Sequence, residues 1–354
     1  MRTVVVCLLV TITSVLMAEW YVRKDEYQPA STRSIMDSFF TIDNCTPDRE
    51  LGWVNTPGLH APSEDATQPE VVGFNRQRRS GTNSIYTKQR SKRVAIFGCS
   101  FTYGCGVNDD ETYVWKLNEL FPAIKFENYG VPGYGAYQCF KSMERALNLH
   151  PNEYDAVIYA GIMDHACRDY YDGYYMPTKS DIIRYRSLYR NPQHQRWLNA
   201  YHWPGDSTLA LINFFKIHYI TRRSNDDIEN SMQNATTEDL CSTLMESLTF
   251  MKELAQRKQT KFLFASLDAG YNDAPDGPSY KLYQALEKRL IEQKIPYHNC
   301  SMPPEYIPPE DDPRSEELSK LLVNYNVTPC HHPNGRGHNI FASKIGEWVK
   351  ENLL

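Results

Sequence analysis

The sequence predicts an α/β protein with a parallel sheet covered by helices on both faces, and three observations carry that reading. From residue 93 onward, short apolar runs of strand length alternate with longer stretches whose apolar residues recur at helical spacing. The first run, Arg93-Val94-Ala95-Ile96-Phe97-Gly98, stops at a glycine and presents the hydroxyl of Ser100 shortly after, as a strand does when it delivers a side chain to the edge of a sheet. The next run leads into a glycine-rich turn, Asn128-Tyr129-Gly130-Val131-Pro132-Gly133-Tyr134-Gly135, whose glycines let the backbone reverse sharply and expose its N–H groups.

In chain order, Arg2 precedes an apolar run that reaches Tyr21, so residues 1–22 read as a signal peptide or a short membrane anchor. Ala18 is small but Leu16 at the paired position is not, which leaves no clean cleavage site and favours the uncleaved anchor. Residues 23–90 are polar and rich in Pro, Gly, Asn and Arg, the composition of an irregular lead-in or stalk. The remainder, 91–354, carries the alternation: strand 93–98, helix 112–121, strand 124–128, helix 136–149 and strand 155–160. It resumes with helix 237–258, strand 260–267, helix 279–293, strand 295–299 and helix 335–352. Between the halves lies an insertion at about 166–236, without regular period and crowded with rings such as Tyr170, Tyr171, Tyr174, Trp197 and Trp203. Those rings suit either a wall for a sugar-like ligand or the packing of an inserted subdomain. A proline-rich stretch, 301–329, reads as a long loop that delivers the chain to His332.

Near the C-terminus, Cys330-His331-His332-Pro333-Asn334-Gly335-Arg336-Gly337-His338 runs straight into an amphipathic helix. Together with the segment around Ser100, it resembles the last and first conserved blocks of the SGNH (GDSL-type) hydrolase superfamily. That resemblance implies a three-layer, flavodoxin-like sandwich with a parallel sheet of about five strands. It also implies Ser100 as nucleophile, His332 as base, and the N–H groups of Ser100 and Gly133 as the oxyanion site. Asp48-Arg49-Glu50-Leu51-Gly52-Trp53 and Gly73-Phe74-Asn75 resemble the lead-in of many bacterial members and extend the likeness upstream.

Three positions depart from the family pattern. Where the family has an oxyanion Asn after the third strand, this chain reads Gly161-Ile162-Met163-Asp164-His165, and Met163 cannot donate. Loss of one such donor costs on the order of a hundredfold to a thousandfold in rate, so Asp164 and His165 are accessory candidates, His165 as a substitute donor. The plain alternative for His165 is a surface histidine beside Arg168 and Asp169. Pro329 and Cys330 stand where the family orients its His with an Asp, which leaves Glu305, Asp311, Asp312 or a backbone carbonyl to do so. Cys99 replaces the usual Asp before the nucleophile, and Cys99 and Cys330 are candidates for a disulfide.

A formal charge of −5 over 354 residues gives no footprint for nucleic acid. Cys330, His331, His332 and His338 could in principle ligate zinc, but their spacing is not a zinc pattern and the Pro and Gly fit a loop entering a helix, so neither metal nor cofactor is expected. Nine cysteines and sequons at Asn44, Asn234, Asn299 and Asn326 suit an exported chain with disulfides, although buried free thiols explain the cysteines equally well. The expected partner is a small-molecule or glycan ester, with a membrane involved only through the N-terminal segment. An acyltransferase with the same site and a non-catalytic glycan binder are the alternatives.

Overall fold

The computed structural model describes residues 2–24, 45–48, 51–62, 66–81, 91–171, 211, 236–267, 278–301 and 332–354. The chain divides into two compact units. In the first, formed by Met1–Asp43 and Tyr171–Asn234, the described part is helix α1 (Arg2–Lys24) and Leu211, whose N–H donates to Glu19 Oε2 at 2.8 Å. Apolar side chains stand exposed on several sides of α1, among them Leu8, Val10, Leu16, Met17 and Trp20. No helix among the described residues is long and apolar enough to cross a membrane.

The second unit, Asn44–Tyr170 with Ala235–Leu354, is the three-layer α/β sandwich. Its lead-in forms two antiparallel hairpins, β1 (Cys45–Asp48) with β2 (Gly52–Asn55) and β3 (Gly58–His60) with β4 (Glu70–Val72). Next come β5 (Lys92–Gly98), the short helix α2 (Ser100–Tyr103), α3 (Tyr113–Leu120), β6 (Ile124–Gly130), α4 (Ala136–Leu149), β7 (Ala156–Gly161) and α5 (Asp164–Tyr171). The second half supplies α6 (Thr237–Arg257), β8 (Lys261–Ser266), α7 (Pro278–Glu292), β9 (Tyr297–Asn299) and α8 (Gly335–Leu353).

The five parallel strands lie in the order β6-β5-β7-β8-β9. Because helices cover both faces, the central strands read as continuous apolar runs: Val94, Ala95, Ile96 and Phe97 are wholly buried, as are Ala156 to Ala160. On one face, Val94, Ile96, Phe126, Ile158 and Leu263 pack with Leu117 of α3 and Phe341, Ile345 and Val349 of α8. Helices α4, α6 and α7 pack together, with α4 against β5 and α6 against β8. Lys92 and Lys261, at the starts of β5 and β8, donate to the Leu353 and Asn352 carbonyls and so satisfy the end of α8.

The order reverses at β5, with the second strand in sequence on one side of it and the third on the other. In open α/β sheets the ligand crevice lies outside the carboxyl ends at such a reversal. Gly98 of β5 pairs with Gly130 of β6 and Ala160 of β7, so small residues end all three strands and leave room above them for α2.

Candidate active site

Ser100 opens α2 directly after β5 and is 7 % exposed. From the other end of the chain, Pro333 and Asn334 bring the backbone into α8, where the Asn334 side chain accepts the Arg336 and Gly337 N–H groups and caps the helix. That entry places His332 over the C-terminal end of β5, with Nε2 at 2.9 Å from Ser100 Oγ. The ring of Phe101 meets the imidazole edge-on at 5.7 Å and walls one side of the pair. An alcohol and an imidazole 232 positions apart are therefore within hydrogen-bond reach.

The Gly133 turn follows β6 on the adjoining strand, and Val131 N–H donates to Gly98 O at 3.0 Å, tying it to the strand that carries Ser100. Gly133 has φ of +81°, a left-handed conformation that a side chain would strain. Among the described residues, neither the Ser100 N–H nor the Gly133 N–H donates to a protein acceptor, so both remain available to a ligand.

After β7, Met163 is buried and Asp164 is half exposed and ion-paired with Arg168. His165 is not the surface side chain that its charged neighbours suggested. It is wholly buried, and its Nδ1 shares a hydrogen bond with Tyr159 Oη at 2.6 Å. Burial and the Arg168 charge hold its pKa well below the usual value, so the ring is neutral.

His338 also turns inward. It accepts the Tyr113 N–H at Nδ1 (3.1 Å) and stacks on the Tyr113 ring, and burial, with Arg78 and His332 nearby, lowers its pKa to about 3. This makes it a structural residue at the root of α8. No cluster of three His, Cys, Asp or Glu side chains suited to a metal occurs among the described residues, and Cys330 and His331 lie outside them. Glu305, Asp311 and Asp312, named as orienting groups for His332, also lie outside the described residues, as does most of the aromatic insertion. Cys330, the other half of the candidate disulfide with Cys99, lies outside the described residues; Cys99 itself is a buried free thiol, like Cys139, Cys241 and Cys300. It sits in the apolar core, in the cluster that also holds Phe101, Ile158 and Cys300.

No family model matches this sequence, and no curated protein does. Among solved structures, the chain is similar to a member of the lipolytic protein G-D-S-L family from Veillonella parvula, at 14% identity over 74% of this chain and 100% of that one, with a TM-score of 0.40. A GDSL-like lipase from Bacteroides thetaiotaomicron aligns at 14% identity over 76% of this chain and 95% of that one, with a TM-score of 0.38. A catalytic mutant of an acetylxylan esterase from Geobacillus stearothermophilus aligns at 12% identity over 75% and 96%, with a TM-score of 0.37.

Sequence reasoning missed the residues that brace the site. Trp53, wholly buried at the start of the lead-in, donates from Nε1 to Pro132 O at 2.8 Å. Arg78 donates to the carbonyls of Tyr103, Gly104 and Val107, at and just beyond the end of α2. Asp169 accepts the Tyr137 N–H at 2.9 Å and the Ser247 hydroxyl at 3.2 Å, holding the start of α4. Only the Leu51-Gly52-Trp53 likeness pointed towards any of them.

Burial pushes the Asp169 carboxyl up to about 7 from its ordinary 3.8, outweighing the hydrogen bonds that favour the anion. Between about pH 4 and pH 7 the native state thus keeps a proton that the unfolded chain has released, and stability falls as pH rises through that window. Relative to Asp169→Asn, which has nothing to titrate there, the wild type should lose a few kcal/mol from pH 4 to pH 7, at about 1.4 kcal/mol per unit of pKa difference. Urea unfolding of both proteins across that range reads the difference, and parallel curves would contradict it.

Proposed function

We propose that this chain is a serine esterase that removes an O-acyl group from a carbohydrate. The observation that carries the reading is the Ser100 Oγ to His332 Nε2 separation of 2.9 Å, at the sheet edge where the strand order reverses. With Nε2 unprotonated, the Ser100 hydroxyl donates to it, and Oγ attacks the acyl carbon as the proton passes to the imidazole. The carbonyl oxygen takes the negative charge and receives the N–H groups of Ser100 and Gly133. His332 then returns the proton to the departing alcohol, and water repeats the cycle on the acyl-serine. The carbohydrate part of the reading rests on composition: the stretch at 166–236 is rich in tyrosines and tryptophans, side chains that suit a sugar-like ligand as well as the packing of an inserted subdomain.

The apolar side chains exposed on α1 support an exported chain whose N-terminal segment serves as a leader, since α1 is not long and apolar enough to cross a membrane. Acetylated oligosaccharides are the test substrates. Incubation of the purified full chain with acetylated xylo-oligosaccharides is expected to release free acetate, and adding an unacetylated sugar should not divert the acyl group. Acetyl transfer to the added sugar would instead make the protein an acyltransferase, and neither product would sink the reading.

A further inference from the structure

The oxyanion donor at Gly133 belongs to the peptide group that also contains the Pro132 carbonyl. A trans peptide is planar, with its C=O and N–H pointing in opposite directions, so whatever fixes one aims the other. Trp53 Nε1–H donates to Pro132 O at 2.8 Å. The indole that makes this bond is itself immobile. It is wholly buried on β2, meets the Tyr134 ring edge-on at 5.7 Å, and its own carbonyl accepts the Tyr134 hydroxyl at 2.5 Å.

The hairpin that carries Trp53 is anchored separately. Asp48 pairs with Arg145 of α4 through two hydrogen bonds of 3.0 Å, and Gln138 Nε2 donates to Leu51 O at 2.8 Å. The far side of the same passage is gripped by α5: Arg168 donates to Tyr134 O at 2.9 Å and Asp169 accepts the Tyr137 N–H. Contact there is close enough that a Cβ on Gly135 would lie 2.2 Å from Asp169 Oδ1. The lead-in thus reaches the turn at its start, where Asn55 Nδ2 donates to Gly130 O at 2.9 Å, and again at the Gly133 peptide, whose orientation Trp53 sets.

We propose that Trp53 is a positioning residue that aims the Gly133 N–H at the oxyanion and, by accepting no movement of the Pro132 carbonyl, offsets the missing side-chain donor at Met163. The catalytic part of this proposal rests on the esterase reading above. A hydrogen bond on the carbonyl also polarises the peptide and strengthens its N–H as a donor. With one donor absent, the rate depends more heavily on the accuracy of those that remain, since a misplacement of about 1 Å costs on the order of a hundredfold.

Trp53→Phe keeps an aromatic ring and removes the donor. Trp115→Phe removes an indole donor that bonds Glu119 Oε1 within α3, away from the Pro132 peptide, and serves as the control for purely structural effects. Each protein, as the full chain, is assayed for kcat and KM on an acetyl ester well below its melting temperature. Each is also labelled with carbonyl-13C proline and 15N glycine, which marks the Pro-Gly peptide bonds selectively. Expected for Trp53→Phe are a fall in kcat of about a hundredfold, a KM within about twofold, and a displaced Pro132–Gly133 resonance. Trp115→Phe should keep the wild-type kcat and resonance. Wild-type turnover with an unmoved resonance or an unchanged kcat in Trp53→Phe would overturn the proposal and leave the esterase reading standing. A resonance that moves in a protein whose wild type shows no turnover would end the esterase reading and the catalytic role together, leaving only the peptide contact.

Discussion

Ser100→Ala is expected to lower ester turnover by on the order of a millionfold in kcat, the scale seen when the nucleophile of a serine hydrolase is removed, while folding stays intact. The side chain contributes little to the core. Its Oγ bonds to His332, and the backbone of α2 is held by other groups: Asn128 Nδ2 donates to Thr102 O at 2.8 Å, and Tyr113 Oη donates to Thr102 Oγ1 at 3.0 Å. Substitution therefore removes the attacking atom and leaves its setting. His332→Ala should be nearly as damaging, and the double variant no worse than the worse single one, because the two groups act in one proton transfer. Additive losses would mean that serine and histidine serve separate steps.

Arg78→Met is expected to cost about 3–5 kcal/mol of stability, the usual penalty for breaking a buried ion pair by removing one partner. Arg78 is 1 % exposed, with Glu70 at 3.8 Å and Asp109 Oδ1 at 2.9 Å from its guanidinium, and Glu70 is wholly buried. Burial by itself would lower the arginine pKa, but the charges of Glu70 and Asp109 more than offset that and keep it protonated. Tyr103 lies beneath the guanidinium at 4.7 Å and donates its hydroxyl to Glu70 Oε2 at 2.7 Å, so the carboxylate, the cation and the ring form one closed cluster. Methionine fills much of the volume but leaves the Glu70 carboxylate without its cation and removes the guanidinium donors from three backbone carbonyls. Adding Glu70→Gln should recover part of the loss, since it removes the stranded charge. Urea denaturation of the three proteins measures both effects, and a loss below about 1 kcal/mol for Arg78→Met would show the cluster to be solvated.

The sheet and its helices were legible because period and length agree there. Strand 93–98 is seen as Lys92–Gly98 and helix 136–149 as Ala136–Leu149, each an apolar pattern bounded by glycine or proline. The meeting of Ser100 with His332 was legible only through the family resemblance, since no local pattern reports a contact between chain ends. Residues 45–81 were harder. Their polar, Pro- and Gly-rich composition suggested an irregular lead-in or stalk, yet Glu70 and Arg78 are buried and matched to one another, and a charged residue that finds its partner only in the folded chain looks identical in sequence to a surface one. His165 was open between a substitute oxyanion donor and a surface histidine beside Arg168 and Asp169; it is wholly buried, with the Tyr159 hydroxyl as the partner of its Nδ1.

The account depends on Ser100 being activated by His332, and a fluorophosphonate probe tests this most directly. Mass spectrometry of the labelled wild type should show a single adduct, on the peptide that contains Ser100, and the same experiment on His332→Ala should show labelling slowed by at least about a thousandfold. An unlabelled wild type, or a His332→Ala variant labelled as fast as the wild type, would contradict it.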